Sequence, residues 1–342
     1  MKKILLVLFV FISIVFKAQT LYFKCTTISA PSVYPWGVAT NWYQDPLCTT
    51  TSTSGIPTSA NDVVINSNAF TANGQKIDFD QASMACKGFT VSYAGTYTNV
   101  AMQSVPAKVL NVFGHFDLTA FDNSKLSISN WKGDIVFNPA NISTLNVLTG
   151  GKTLVLNSIT IPGNTTTYTV NFNDSLFLNR VVPIAGNIGN INIGTGYTNA
   201  NAVIVNFNDL VKLGSINSFP AVCDQHSSIY IVSGIVNFNN GIFNTLPISS
   251  YQVSTYAPGY AGNTGGIVAS NSCSITLLPQ TYTNVAYPIA RQINNIGTLQ
   301  LIGTTAINSP TVNATNQTIR INGLGNADDS RLNFTNSVIN AN

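Results

Sequence analysis

A short phrase recurs along the chain: Val170-Asn171-Phe172-Asn173-Asp174, then Val205-Asn206-Phe207-Asn208-Asp209, then Val236-Asn237-Phe238-Asn239-Asn240. A looser copy stands at Ile135-Val136-Phe137-Asn138, so the four phenylalanines are 35, 35 and 31 residues apart. Self-similarity at this period marks a solenoid, in which one repeat cannot bury its apolar face alone and stacks on its neighbours. Val203, Val205 and Phe207 share one parity while Ile204, Asn206 and Asn208 share the other, so each copy reads as a strand. Stacking then predicts one internal column of phenylalanines and a second column of asparagines. Burying each ring is worth roughly 1.5–3 kcal/mol, and stacked amides hydrogen-bond to one another.

The residues needed for helices are scarce. Charged residues make up 8 % of the chain, Glu is absent, all 12 acidic residues are Asp, and there are 43 Asn beside 25 Gly. Asn, Gly, Thr and Ser favour turns, and Val, Ile, Thr, Tyr and Phe favour strands, so the chain reads as all-β. Strand-like runs at Asn61–Ile65, Lys76–Phe79, Gly88–Tyr93, Lys108–Phe113 and Leu126–Ile128 continue to Leu332-Asn333-Phe334. Between Phe172 and Phe207 lie two more, Leu176–Leu178 and Ile191–Ile193. Three strands per repeat predict one coil of a three-faced parallel β-helix.

Residues 1–19 read as a signal peptide: Lys2 and Lys3, an apolar run from Ile4 to Phe16, then Lys17-Ala18-Gln19. Thirteen helical residues span about 20 Å, short of a ~30 Å hydrocarbon core, so no membrane insertion of the mature chain is expected. Taking Lys2, Lys3 and Lys17 from the 15 basic residues leaves 12 against 12 acidic ones, which speaks against nucleic acid or an anionic membrane as partner. Residues 20–58, with Trp36, Trp42, Pro46, Gly55 and Pro57, read as an N-terminal cap shielding the first strand edges. Residues 59–342 form the solenoid.

Five cysteines in an exported chain permit disulfides, and Cys25 with Cys48 is the expected pair, worth about 3 kcal/mol for a loop of that length. The alternative is that all five are small buried hydrophobes. No pair has zinc-like spacing, and neither a metal nor a cofactor is expected.

The order Trp36, Asn41-Trp42, Gly55-Ile56-Pro57-Thr58, Asn61-Asp62-Val63-Val64-Ile65, Cys86-Lys87-Gly88-Phe89-Thr90-Val91, Leu110-Asn111-Val112-Phe113-Gly114 and Gly133-Asp134-Ile135-Val136-Phe137-Asn138 resembles the opening of exported right-handed β-helix surface proteins of Bacteroidota-type bacteria. The resemblance covers roughly residues 30 to 140. It implies a right-handed winding, export by a type 9-like route, and an adhesin or matrix role at the cell surface. Those relatives normally end in a C-terminal sorting domain. This chain stops at Val338-Ile339-Asn340-Ala341-Asn342, so either further sequence follows or the export route differs.

β-Helices also house polysaccharide lyases and hydrolases, whose chemistry needs paired carboxylates, or a carboxylate cluster with a basic group, on one face. Asp328-Asp329 superficially resembles paired catalytic aspartates, but Asn-Thr-Asp-Gly, Gly-His-Gly and Arg-Ile-Lys companions are missing, and a solvated turn is expected. Asp174 and Asp209 share one repeat position and offer either a two-carboxylate site or turn residues capping strand ends; Asn240 breaks the column. His115 and His226 read as structural or surface residues, since Cys223 and His226 have no spacing that brings them into contact. Tyr251, Tyr256 and Tyr260 stand in a long Gly-rich segment ending at Gly266, where rings can stack on sugar faces or fold over the solenoid side. Asp174-Ser175-Leu176 resembles the O-glycosylation acceptor of such bacteria, or is simply a strand start. The expected function is a secreted or cell-surface β-solenoid acting as adhesin or structural protein, with glycan contact through the three tyrosines. The alternative is a β-helical polysaccharide lyase or hydrolase centred on Asp174 and Asp209.

Overall fold

A computed structural model describes residues 19–180 apart from 106, 140 and 141, then 190–195, 203–209, 211–213 and 229–239, and beyond these the backbone of the strands between 242 and 340. It shows a parallel β-helix. The coil is three strands long: Asp62–Ile65, Lys76–Asp78 and Ser83–Cys86 lie on three successive faces, and Phe89–Val91 returns to the first. The first face is one twelve-stranded sheet running from Trp42–Tyr43 to Val338–Asn340, and the third is a nine-stranded sheet. The second face is split between the strands Leu126–Trp131 and Thr153–Leu156 into a four-stranded and a six-stranded sheet. A strand–crossover–strand connection between parallel neighbours is right-handed in nearly all folds, so chain sterics favour the winding that the family resemblance implies.

Period-2 patterning puts one side chain in two inside. Asp62–Ile65, Thr169–Phe172 and Ile204–Phe207 alternate half-buried and buried residues in the same phase. In-register pairing then builds the interior columns. Phe89 pairs with Phe116, Phe116 with Val147, Val147 with Phe172, Phe172 with Phe207 and Phe207 with Phe238. The Phe172 and Phe207 rings stack at 4.8 Å and those of Phe207 and Phe238 at 5.0 Å, close to the strand spacing of a sheet. Each is fully buried.

Phe137 departs from the expected column. Its strand, Asp134–Phe137, belongs to the third face, paired with Val109–Val112 and Ser158–Pro162. The residue in register with Phe172 is Val147. All three faces alternate in the same way, so parity identifies a strand without saying which face it occupies. Coil length also varies: 25 residues separate Val147 from Phe172, whereas 39 separate Phe238 from Leu277. The ring of Phe137 still reaches Phe172 edge-on across the interior, at 5.9 Å.

The N-terminal segment is more regular than composition suggests. Thr20–Phe23 and Val33–Pro35 pair in parallel with Asp62–Ile65 and Lys76–Asp78, so winding begins before residue 59. Trp42–Tyr43 then runs antiparallel along Thr20–Phe23 and covers the outermost edge of the first face. Trp36 and Trp42 join the same buried cluster as Val63 and Ile65, and the Trp42 indole N–H donates to the Trp36 carbonyl at 2.8 Å. No helix among the described residues is long and apolar enough to cross a membrane.

Candidate functional site

The carboxylates singled out from the repeat lie at one corner of the coil, where the chain leaves the first face for the second. Register places Val147 beside Phe172 and Phe172 beside Phe207, so Thr149, Asp174 and Asp209 stack in successive coils. The corner is knitted together by its own side chains. The Gly150 N–H donates to Asp174 Oδ2 at 2.9 Å, Thr149 Oγ1 donates to the Ser175 carbonyl at 2.8 Å, and Ser175 Oγ donates to Asp209 Oδ2 at 2.7 Å. Each acid therefore fastens one coil to the next. Ser175, from the Asp174-Ser175-Leu176 triplet, spends its hydroxyl in this link.

Sequence reading missed the cation at this corner. Lys152 is buried at 7 % exposure, with its Nζ 4.5 Å over the Phe121 ring and 3.4 Å from the Thr119 carbonyl that accepts its proton. Asp117, whose carboxylate accepts from Thr119 N and Oγ1, and Asp174 attract it. Burial outweighs that attraction and holds the Lys152 amine below the usual lysine range. The turn entering Lys152 is made by Gly150 and Gly151, at φ +60° and +66°. A Cβ at Gly150 would stand 2.7 Å from Lys152 Nζ, so the glycine also leaves room for the amine. The Gly-Gly-Lys run was the available signal; with one copy in the chain, the repeat did not draw attention to it.

Two carboxylates and a lysine thus share a corner, yet the amine is enclosed by Phe121, Thr119 and the Gly150 turn. Burial of the Lys152 side chain separates it from an open coil face, where a lyase base would meet its polymer. His115 is exposed one position before Phe116, in the same outward file as Asn146. Among the described residues no three His, Cys, Asp or Glu side chains gather to hold a metal.

On the outer surface of the first face the expected asparagine column is present, and it is double. In one file Asn171 Nδ2 donates to Asn146 Oδ1 at 3.2 Å, Asn206 to Asn171 at 2.8 Å and Asn237 to Asn206 at 2.8 Å. In the other, Asn208 donates to Asn173 at 2.9 Å and Asn239 to Asn208 at 2.8 Å, while Asn173 donates diagonally to Asn146 at 3.3 Å. The first file is half-buried and Asn173, Asn208 and Asn239 are exposed.

The expected Cys25–Cys48 disulfide is not formed. Cys25 continues the inward parity of Leu21 and Phe23 and lies in the interior cluster, where burial pushes its thiol far above the ordinary range. Cys48 sits outside that cluster, in a turn at φ +53°, with Sγ 3.9 Å from the Phe23 carbonyl and its pKa pushed up to about 11, chiefly by burial. Both thiols are free and buried and, with Cys86, behave as small hydrophobes. Tyr251, Tyr256, Tyr260, Cys223, His226, Asn240 and Asp328-Asp329 lie outside the described residues.

No protein-family model, curated protein or solved structure matches the chain.

Proposed function

We propose that the protein is an exported, extracellular β-solenoid that works by presenting its outer surface, as an adhesin or structural component in contact with glycans. The observation that carries this reading is the contrast between corner and face. The charged groups at the Asp174 corner are consumed in coil-to-coil hydrogen bonds or buried, whereas the first face displays an ordered, uncharged array of amides. Binding of purified protein to a glycan array and to intact cells tests it. Tyr256→Ala with Tyr260→Ala should weaken capture if the tyrosine segment supplies stacking contacts, and Asp174→Asn with Asp209→Asn should leave capture unchanged.

The enzyme alternative draws on one observation, the proximity of Lys152 to Asp117 and Asp174. Under it, wild type would release unsaturated or reducing sugars from an acidic polysaccharide, and the aspartate substitutions would abolish that release. Product formation by wild type that is lost in the double aspartate variant would replace the adhesin reading.

A further inference from the structure

The double asparagine ladder has unused hydrogen-bonding capacity of uniform direction. A carboxamide carries two N–H donors and an oxygen with two lone pairs. Asn206 gives one N–H to Asn171 and accepts one from Asn237; Asn208 gives one to Asn173 and accepts one from Asn239. Each therefore keeps one donor and one acceptor site beyond the ladder. Because every link points the same way along the solenoid, the spare groups repeat with the coil spacing, roughly 4.8 Å. Their rotamers are already fixed by neighbours above and below, so a ligand need not order them.

The surroundings set the class of ligand. The outward residues beside the two files in the strands Thr144–Leu148, Thr169–Phe172, Ile204–Phe207 and Gly234–Phe238 are Thr144, Leu148, Thr169, Ile204 and Ile235, none of them charged. An anionic polymer would find no cation there, and an apolar partner would strand the spare amide groups without partners. A hydroxyl both donates and accepts, which matches a surface offering one of each per amide.

We infer that the Asn171-Asn206-Asn237 and Asn173-Asn208-Asn239 files form a binding track for an extended, neutral, hydroxyl-rich polysaccharide lying along the solenoid axis. This rests on the glycan-contact reading above and moves the contact from the tyrosine segment to the strand face. Recognition is through hydrogen bonds, without an ion pair.

The test is co-sedimentation of full-length protein with insoluble cellulose and chitin, and with calcium-gelled alginate as the anionic control, at low and high salt. Wild type should sediment with a neutral polymer and not with alginate, with little salt dependence, since screening acts on charges. Asn208→Ala with Asn239→Ala should weaken that capture about tenfold, two hydrogen bonds being lost. Asn208→Asp, which keeps the side-chain shape but removes both N–H donors, the ladder link to Asn173 included, should weaken capture severalfold; the exposed site keeps the loss of stability small, so an unfolding transition that stays cooperative and well above the assay temperature guards against a misfolded double variant. Capture by a neutral polymer that survives both variants but falls with Tyr256→Ala and Tyr260→Ala would overturn the track and leave the glycan reading standing. Capture by alginate alone, or by none of the three polymers, would overturn the track as well. So would a wild-type oligomer, seen by sedimentation velocity, that the ladder variants dissolve, since the face would then be an interface between copies.

Discussion

The N-terminal coils and the central coils fill similar cross-sections by different means. Near the N-terminus, rings from the first and second faces meet in the interior: Trp36 stacks on Phe79 at 5.1 Å, Phe79 on Trp131 at 4.8 Å, and Phe89 lies 5.6 Å from Trp131. In the central coils one face stacks identical rings on themselves, Phe172 on Phe207 on Phe238, and echoes them outside with amide ladders. The first arrangement needs each residue to complement different neighbours. The second needs each residue to match a copy of itself, which is why only the second leaves a repeat in the sequence.

Substitutions at the two centres should separate these modes. Trp131→Ala removes a ring held between Phe79, Phe89 and Phe116, and should cost about 4–5 kcal/mol, because partners fixed on two different faces cannot all move into the void. Phe207→Ala opens a cavity with rings above and below and should cost about 3–4 kcal/mol. Solenoid stability is a sum over neighbouring coils. The tryptophans all lie at or before residue 131. Phe207→Ala should therefore lower the denaturation midpoint read by far-ultraviolet circular dichroism while leaving the tryptophan fluorescence midpoint nearly in place. Coincident shifts in both signals would mean that the two regions unfold as one body.

The ladders should contribute less than the rings. Asn206→Ala breaks two amide links in the half-buried file and should cost about 1 kcal/mol by urea denaturation. Asn208→Ala, in the exposed file, should cost less, since water takes over the freed groups. Equal costs would place the value of the ladder in the amide chain itself, independent of burial.

What the sequence made legible follows from the same division. The strands, their inward parity, the three-strand coil and the asparagine column were all readable, because each depends on a local period or a self-match. Assigning Phe137 to the column failed because every face has the same parity, and only pairing reveals that Val147 is the register partner of Phe172. The cap hid its two parallel strands because Thr20–Phe23 and Val33–Pro35 are short and lack a copy elsewhere. The Asp174 corner was half readable: the repeat located Asp174 and Asp209, but the cation comes from the preceding coil, where Thr149-Gly150-Gly151-Lys152 follows the in-register strand with different residues. Cys25 points into the interior cluster and Cys48 does not, a difference in packing that their spacing in the chain does not encode.

Lys152 gives the finest probe of the boundary between the two regions, because it follows the break in the second face. Its amine is held below the ordinary lysine value in the folded protein by burial, against the attraction of Asp117 and Asp174. Between that lowered value and the unfolded value near 10.4, the unfolded chain binds more protons than the native one, so stability rises with pH through this interval. Wild type should accordingly gain on Lys152→Met as pH rises from neutrality toward about 10, a comparison in which the titrations common to both proteins cancel. Chemical denaturation of the pair at several pH values measures the difference directly. A wild type that instead loses ground to the variant with rising pH would mean that the carboxylates outweigh burial. The amine would then be held charged at an open corner, and the enzyme alternative would gain the accessible ion cluster it requires.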